Sequence, residues 1–284
     1  MLSNISFNDF YNEFNLRSIE NKKLFLLALL DLNKSFGTTQ IHKLSFLSFA
    51  EGRLIIPFKF TKWPHGPFSD ELRNELDSLE SEGLIEKNCE QVINFSKDTR
   101  KMSDKGREFI KLYKSELDKI KEELKETISN HDEGAVSLER YCYEKYLLKP
   151  DNKRNEEWDA FIKNKIKDIL LILDVRSKEV ENFEEIEEQK ISLILTSFDY
   201  VSEILEKLFS SNGVDEVIKG VLVKNIEEYI DKWGEILRLA QKSASIEEIR
   251  TKLFEIRKIF RFINESAKTY GVFESIFETQ NIEN

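Results

Sequence analysis

The segment Lys62-Trp-Pro-His-Gly-Pro-Phe-Ser-Asp70, running on as Glu-Leu-Arg-Asn-Glu-Leu-Asp-Ser-Leu-Glu-Ser-Glu-Gly-Leu-Ile-Glu86, decides the fold. Pro67 fixes φ, and the glycine before it permits a tight turn. Ser69 or Asp70 then offers a side-chain acceptor to the exposed N–H groups of a helix start. Leu72, Leu76 and Leu79 fall on one stripe of that helix, and Gly83 is its stop signal. Two short β candidates follow at residues 84–87 and 92–95. A polar turn around Asn88 separates them, and Lys97-Asp-Thr-Arg-Lys101 leads on into a new helix at Ser103.

Upstream of this segment, residues 21–35 carry a dense apolar run (Leu24, Phe25, Leu26, Leu27, Leu29, Leu30) suited to a buried helix closed by Phe36-Gly37. Thr38 or Thr39 can cap a second helix, whose apolar residues Ile41, Leu44, Phe46, Leu47 and Phe49 run until Gly52. Three helices followed by a small hairpin is the winged-helix order. The expected fold is therefore mainly α, with an N-terminal winged helix made of three helices and a small β-hairpin wing.

The same residues resemble the winged-helix proteins of the YwgA-like and Panacea type. There an aromatic precedes Gly-Pro-Phe-Ser, a helix with leucines at i, i+4 and i+7 follows, and Gly-Leu-Ile comes after it. Ile41-His-Lys-Leu-Ser-Phe-Leu47 resembles the preceding Lys-Leu helix of that family, and Met102-Ser-Asp-Lys-Gly106 is similar to the Leu-Thr-x-x-Gly that ends the wing. Tyr141-Cys-Tyr-Glu-Lys-Tyr146 is similar to a tyrosine motif in the helix after the wing. The resemblance covers roughly residues 20–148 and implies no enzymatic activity.

Beyond Ser103 the pattern is helical. Residues 106–128 read as one charged amphipathic helix and residues 137–148 as another. Pro150-Asp-Asn-Lys-Arg-Asn155 is short, polar and without hydrophobic pattern, which makes it the expected linker. The expected domains are residues 1–150, a winged helix with trailing helices, and residues 151–284, an antiparallel helical bundle. Four segments of the second domain space their apolar residues at about 3.6, and no proline follows Pro150 to interrupt them. The aromatics Trp158, Phe198, Tyr229, Trp233, Phe254 and Phe260 are expected in its core, and Tyr270-Gly-Val-Phe-Glu-Ser-Ile-Phe277 is expected to support a homodimer.

Charge divides unevenly along the chain. The formal net charge of −10 argues against a sequence-blind DNA coat, because non-specific affinity comes from Lys and Arg neutralising phosphates. Residues 1–115 carry 17 Lys or Arg against 16 Asp or Glu, while the remainder carries 26 against 37. The reading that follows is a DNA-binding regulatory protein, with the winged helix on double-stranded DNA and the acidic bundle serving oligomerisation or partner binding. Its third helix holds Asp70, Glu71, Glu75, Asp77, Glu80 and Glu82, leaving Arg73 and Asn74 to read bases. Phosphate contacts then fall to Lys87, Lys97, Arg100, Lys101, Lys105 and Arg107, with Lys59 and Lys62 ahead of the helix. The competing reading is a protein-interaction adaptor or antitoxin-like module whose acidic third helix, or whose bundle, faces a protein partner. Fold alone does not choose between them.

No catalytic residue, cofactor or metal is expected. His131-Asp132 lacks the further ligands of a metal site, Cys89 and Cys142 form no CxxC pair, and no GxxxxGK[ST], GxGxxG or nucleophile elbow occurs. The longest apolar run, residues 24–30, is too short to span a bilayer, and no signal-like segment opens the chain. The expected location is the cytoplasm, with no membrane partner.

Overall fold

A computed structural model describes residues 21–32, 36–52, 54–63, 65–92, 95–131, 134–146, 155–182, 188–210, 214–242 and 245–272. These residues are mainly helical with a small antiparallel sheet, and fall into two compact units, one within residues 17–151 and one within residues 152–284.

The first unit runs α1 (Lys22–Asp31), β1 (Phe36–Gly37), α2 (Thr38–Ala50), β2 (Thr61–Trp63), β3 (Gly66–Phe68), α3 (Asp70–Ser81), β4 (Ile85–Val92), β5 (Phe95–Met102), α4 (Asp104–Lys111), α5 (Lys114–Asn130) and α6 (Ala135–Lys145). Asn21 caps α1 by accepting from the Leu24 N–H at 3.1 Å, and every residue from Leu24 to Leu30 is buried. A helix apolar on all sides needs neighbours on all sides, and α1 has α5, α3 and β5 against it. α2 packs on α6, β3 and α5.

Ser69 caps α3, its hydroxyl accepting from the Leu72 N–H at 3.2 Å, and the helix buries Leu72, Leu76 and Leu79. Its last carbonyls, on Leu79 and Glu80, accept from the N–H groups of Leu84 and Gly83. Ser103 ties three elements together. Its N–H donates to Leu84 O, its hydroxyl donates to Gly83 O at 2.6 Å, and the same oxygen accepts from the Gly106 N–H at 2.9 Å. A β-carbon on Gly106 would strike the Leu84 carbonyl, so α4 comes this close to the chain ahead of β4 only with glycine there.

The sheet order is β1-β5-β4, with β4 and β5 antiparallel from Ile85↔Met102 to Val92↔Phe95 and β1 adding Phe36↔Arg100. The hairpin differs from the expected strands 84–87 and 92–95: Asn88, expected in the turn, is mid-strand and pairs with Thr99, Val92 ends β4 where Phe95 opens β5, and the lead-in expected at 97–101 is part of β5. The middle residues of β4 and β5 alternate charges rather than apolar side chains, and cross-strand pairs, Lys87 with Asp98 and Lys101 with Glu86 at 3.0 Å each, join them. β2 and β3 form a second hairpin across what reads in sequence as a proline loop. α2 starts after Gly37 rather than after a threonine, and Gln40 accepts the Gly37 N–H at 3.0 Å.

The helix expected over residues 106–128 is two helices. At Leu112 and Tyr113 the N–H groups turn back three residues, to Phe109 and Ile110, and the chain redirects into α5. Apolar spacing runs through this break, so periodicity gives no sign of it. The expected linker lies outside the described residues up to residue 154, and α7 begins at Asn155.

The second unit is a bundle of α7 (Asn155–Glu181), α8 (Glu188–Ser210), α9 (Glu216–Gln241) and α10 (Ile246–Thr269). α9 packs on the other three and is buried along most of its length. Phe198, Tyr229, Trp233 and Phe260 meet edge-on or tilted in the core, and the Tyr229 hydroxyl shares a hydrogen bond with Ser197 at 2.5 Å. Phe254 instead stands half exposed. The side chain of Trp158 and residues 273–277 lie outside the described residues.

Candidate functional site

The β2–β3 hairpin is the best-buttressed surface feature of the first unit. Lys43 of α2 is only 2% exposed and donates to the Pro67 carbonyl at 3.2 Å. Next to it, His42 stacks on Phe68 with ring centroids 4.4 Å apart, and its Nδ1 accepts from the Ser69 N–H at 3.3 Å. That acceptor role puts the proton on Nε2, which meets no partner among the described residues. Burial first, then the charges of Lys43, Arg100 and Arg73, pull the His42 pKa from 6.5 down to about 3. Burial also lowers the Lys43 pKa from 10.5 to about 8, offset in part by Cys142 and Glu139. The Cys142 thiol is pushed up to about 12, again mainly by burial.

The outer side of the hairpin carries Trp63, which stacks on Phe68 at 5.1 Å and whose carbonyl accepts from the Tyr143 hydroxyl of α6 at 3.2 Å. His65 Nδ1 lies 3.8 Å from Glu139, also on α6. Hairpin, α2 and α6 thus form one body.

Behind it lies a polar knot around Glu51, at the end of α2. Its Oε1 takes hydrogen bonds from Lys145 at 2.9 Å and Tyr146 at 3.2 Å, and its Oε2 stands 2.8 Å from His131 Nε2. Lys145 also reaches the Tyr141 hydroxyl at 2.8 Å. Burial works to raise the Glu51 pKa, but hydrogen bonds from His131, Lys145 and Tyr141 outweigh it and bring the value from 4.5 to about 2. Tyr141 and Tyr146 of the tyrosine motif are therefore parts of the tie between α6 and α2.

The cations expected on phosphates are mostly engaged within the fold. Arg100 is 5% exposed, hydrogen-bonded to Thr38 and set 3.4 Å from Asp77 and 3.9 Å from Glu80 of α3. Lys87 and Lys101 hold the cross-strand pairs described above, Lys105 donates to Glu82 O at 2.6 Å, and Arg107 pairs with Asp104 at 2.6 Å. Lys62 is half exposed on β2. The side chain of Lys97 lies outside the described residues. Lys59, Arg73 and Asn74 are exposed, and Lys59 and Arg73 make no ion pair among the described residues. The solvent face of α3 carries Asp70, Glu71, Arg73, Asn74 and Asp77.

The chain matches no family model, no curated protein and no solved structure.

Among the described residues no group of three or more His, Cys, Asp or Glu side chains gathers to hold a metal, and no helix is long and apolar enough to cross a membrane. Sequence reasoning passed over Lys43, Glu51 and Glu139. The one local signal for Lys43 is a His-Lys pair set inside an otherwise apolar helix; Glu51 and Glu139 look like any other surface acid until their partners, far along the chain, are known.

Proposed function

We propose that the first unit is a winged helix of the YwgA-like and Panacea type working as a protein-interaction module, with the bundle as its regulatory or dimerising half. The winged-helix reading is supported by the order α1, α2, α3, then the β4–β5 hairpin with β1 at its far edge. The observation that carries the protein-binding reading is Arg100, the innermost cation of the hairpin, which is turned onto Asp77 and Glu80 of α3 rather than toward solvent. With Lys87, Lys101 and Arg107 also beside acids, little uncompensated positive charge remains to release counterions from DNA. The acidic face of α3 fits a basic protein surface.

The DNA reading retains Arg73, Asn74 and Lys59, which are exposed, and one titration separates the two. With a short labelled duplex in about 150 mM salt, the expected result is no retention at micromolar protein. Micromolar or tighter retention, with a salt slope that falls by about one for each of Lys87→Glu and Lys101→Glu, overturns the proposal. Asn74→Lys adds a cation to the middle of the α3 face: it would strengthen a DNA complex and weaken one with a basic protein.

A further inference from the structure

We infer that two copies of the chain associate through the outer face of α7, packed antiparallel across a two-fold axis level with Leu173. The inference rests on the reading of the bundle as a dimerising half and names the face that does it. α7 packs on α8 and α9, and its Ile162, Ile166, Ile169, Leu173 and Val180 are buried. Away from them, Leu171, Ile172 and Val175 are 67%, 43% and 54% exposed. Three neighbouring aliphatic side chains held open on a long helix gain from any matching surface that takes them out of water.

The matching surface is the same face of a second copy. Asn164, Asp168, Leu171, Val175 and Lys178, all exposed, follow one another in alternating steps of four and three residues, the spacing of a coiled-coil seam. Reversing a second copy about Leu173 sets Leu171 on Val175 and Asp168 on Lys178, and the two-fold axis makes each contact twice. On one flank Lys167 then meets Glu181, and on the other Ile172 meets its own copy. A parallel pair would instead set Asp168 on Asp168 and Lys178 on Lys178, so the charges select the antiparallel one. Asp174 alone meets its like, beside the axis, and Lys178 of the same helix stands 2.6 Å from it. The Lys178 ammonium has three donors, enough for Asp174 and for Asp168 of the second copy. Asp168 makes no ion pair among the described residues. Lys167 has its ammonium 5.8 Å from the Phe209 ring, a contact that it can keep while it meets a carboxylate.

The test is sedimentation equilibrium of the full chain, from about 5 to about 300 µM, in about 50 mM salt. The expected result is a monomer in exchange with a dimer, with a Kd of about 10–100 µM, weak because the apolar patch is small. Asp168→Lys and Lys178→Asp are each expected to weaken association about tenfold, and Leu171→Gln by about as much. Mixing the two charge variants in equal amounts is expected to restore wild-type affinity, because in the mixed pair both lysine–aspartate meetings are complementary again. Mixing repairs no folding defect. A wild type monomeric throughout, a dimer indifferent to all three substitutions, or a mixture no tighter than its components overturns the inference. A dimer indifferent to the substitutions leaves the bundle a dimerising half through another face, whereas a monomer removes that role as well. Retention of the DNA duplex would sink the protein-binding reading and leave the sedimentation result unchanged, so the failures are distinguishable.

Discussion

A β-carbon built on Gly66 would stand 2.8 Å from Nζ of Lys43, so the hairpin turn and the second helix contend for one small volume. A lysine end is usually free to swing aside. This one is buried and hydrogen-bonded to Pro67 O, the residue next to the glycine, so moving it sacrifices the bond that holds the hairpin. Gly66 also has φ +94°, where an L side chain is strained whatever the space. Gly66→Ala is expected to cost about 2–4 kcal/mol in chemical denaturation, backbone strain and overpacking together. Adding Lys43→Met, whose side chain ends short of Nζ, should recover about 1 kcal/mol as coupling between the two sites. A Gly66→Ala protein as stable as the wild type would show that Lys43 moves at no cost.

Much of this arrangement is legible in sequence where its causes are local. Ser69 capping, the Leu72, Leu76 and Leu79 stripe and the stop at Gly83 depend on residues within about four positions of one another, so spacing and turn chemistry reveal them. Arg100 is the opposite case. In sequence it sits in a basic cluster and reads as a phosphate ligand; in the fold it is buried against Asp77, 23 positions away, and Glu80, 20 positions away, partners whose proximity no local pattern encodes. Glu51 and His131 meet across 80 positions. The β2–β3 hairpin was hidden for a different reason. Its strands are three residues each, too short to show alternation, and tertiary contacts to α2 and α6 hold it.

Lys43 makes stability depend on alkaline pH. Its folded-state pKa is about 8 against an ordinary 10.5, mainly because burial penalises the ammonium. Between these values the unfolded chain holds the proton and the folded chain does not, so stability rises with pH across that window. Cys142 works the other way, because its thiol is raised from 9 to about 12 and favours the unfolded state from pH 9 upward. The clean interval is pH 8 to 9. There the wild type is expected to gain about 1 kcal/mol relative to Lys43→Met, measured by urea denaturation of both. Parallel pH curves for the two proteins would mean that Lys43 is not held as a costly buried cation.

Glu51 gives a dependence in acid. Its folded-state pKa is near 2 and its ordinary value 4.5, so its contribution is complete above pH 4.5 and is lost as pH falls from there toward 2. Glu51→Gln keeps the shape but removes the charge that His131, Lys145 and Tyr146 address. Charge-assisted bonds of this kind support an expected loss of about 1–3 kcal/mol at neutral pH. The gap between the two proteins should narrow steadily below pH 4.5, since protonating the wild-type carboxyl makes it resemble the amide. His42 also destabilises the fold in acid: its pKa is lowered from 6.5 to about 3, so its cost begins below pH 6.5. Both proteins carry that histidine, so it cancels in the difference. Urea denaturation at intervals from pH 7 to pH 3 measures the gap, and a gap that stayed constant through this range would show that the knot is held by Tyr146 and packing rather than by the carboxylate charge.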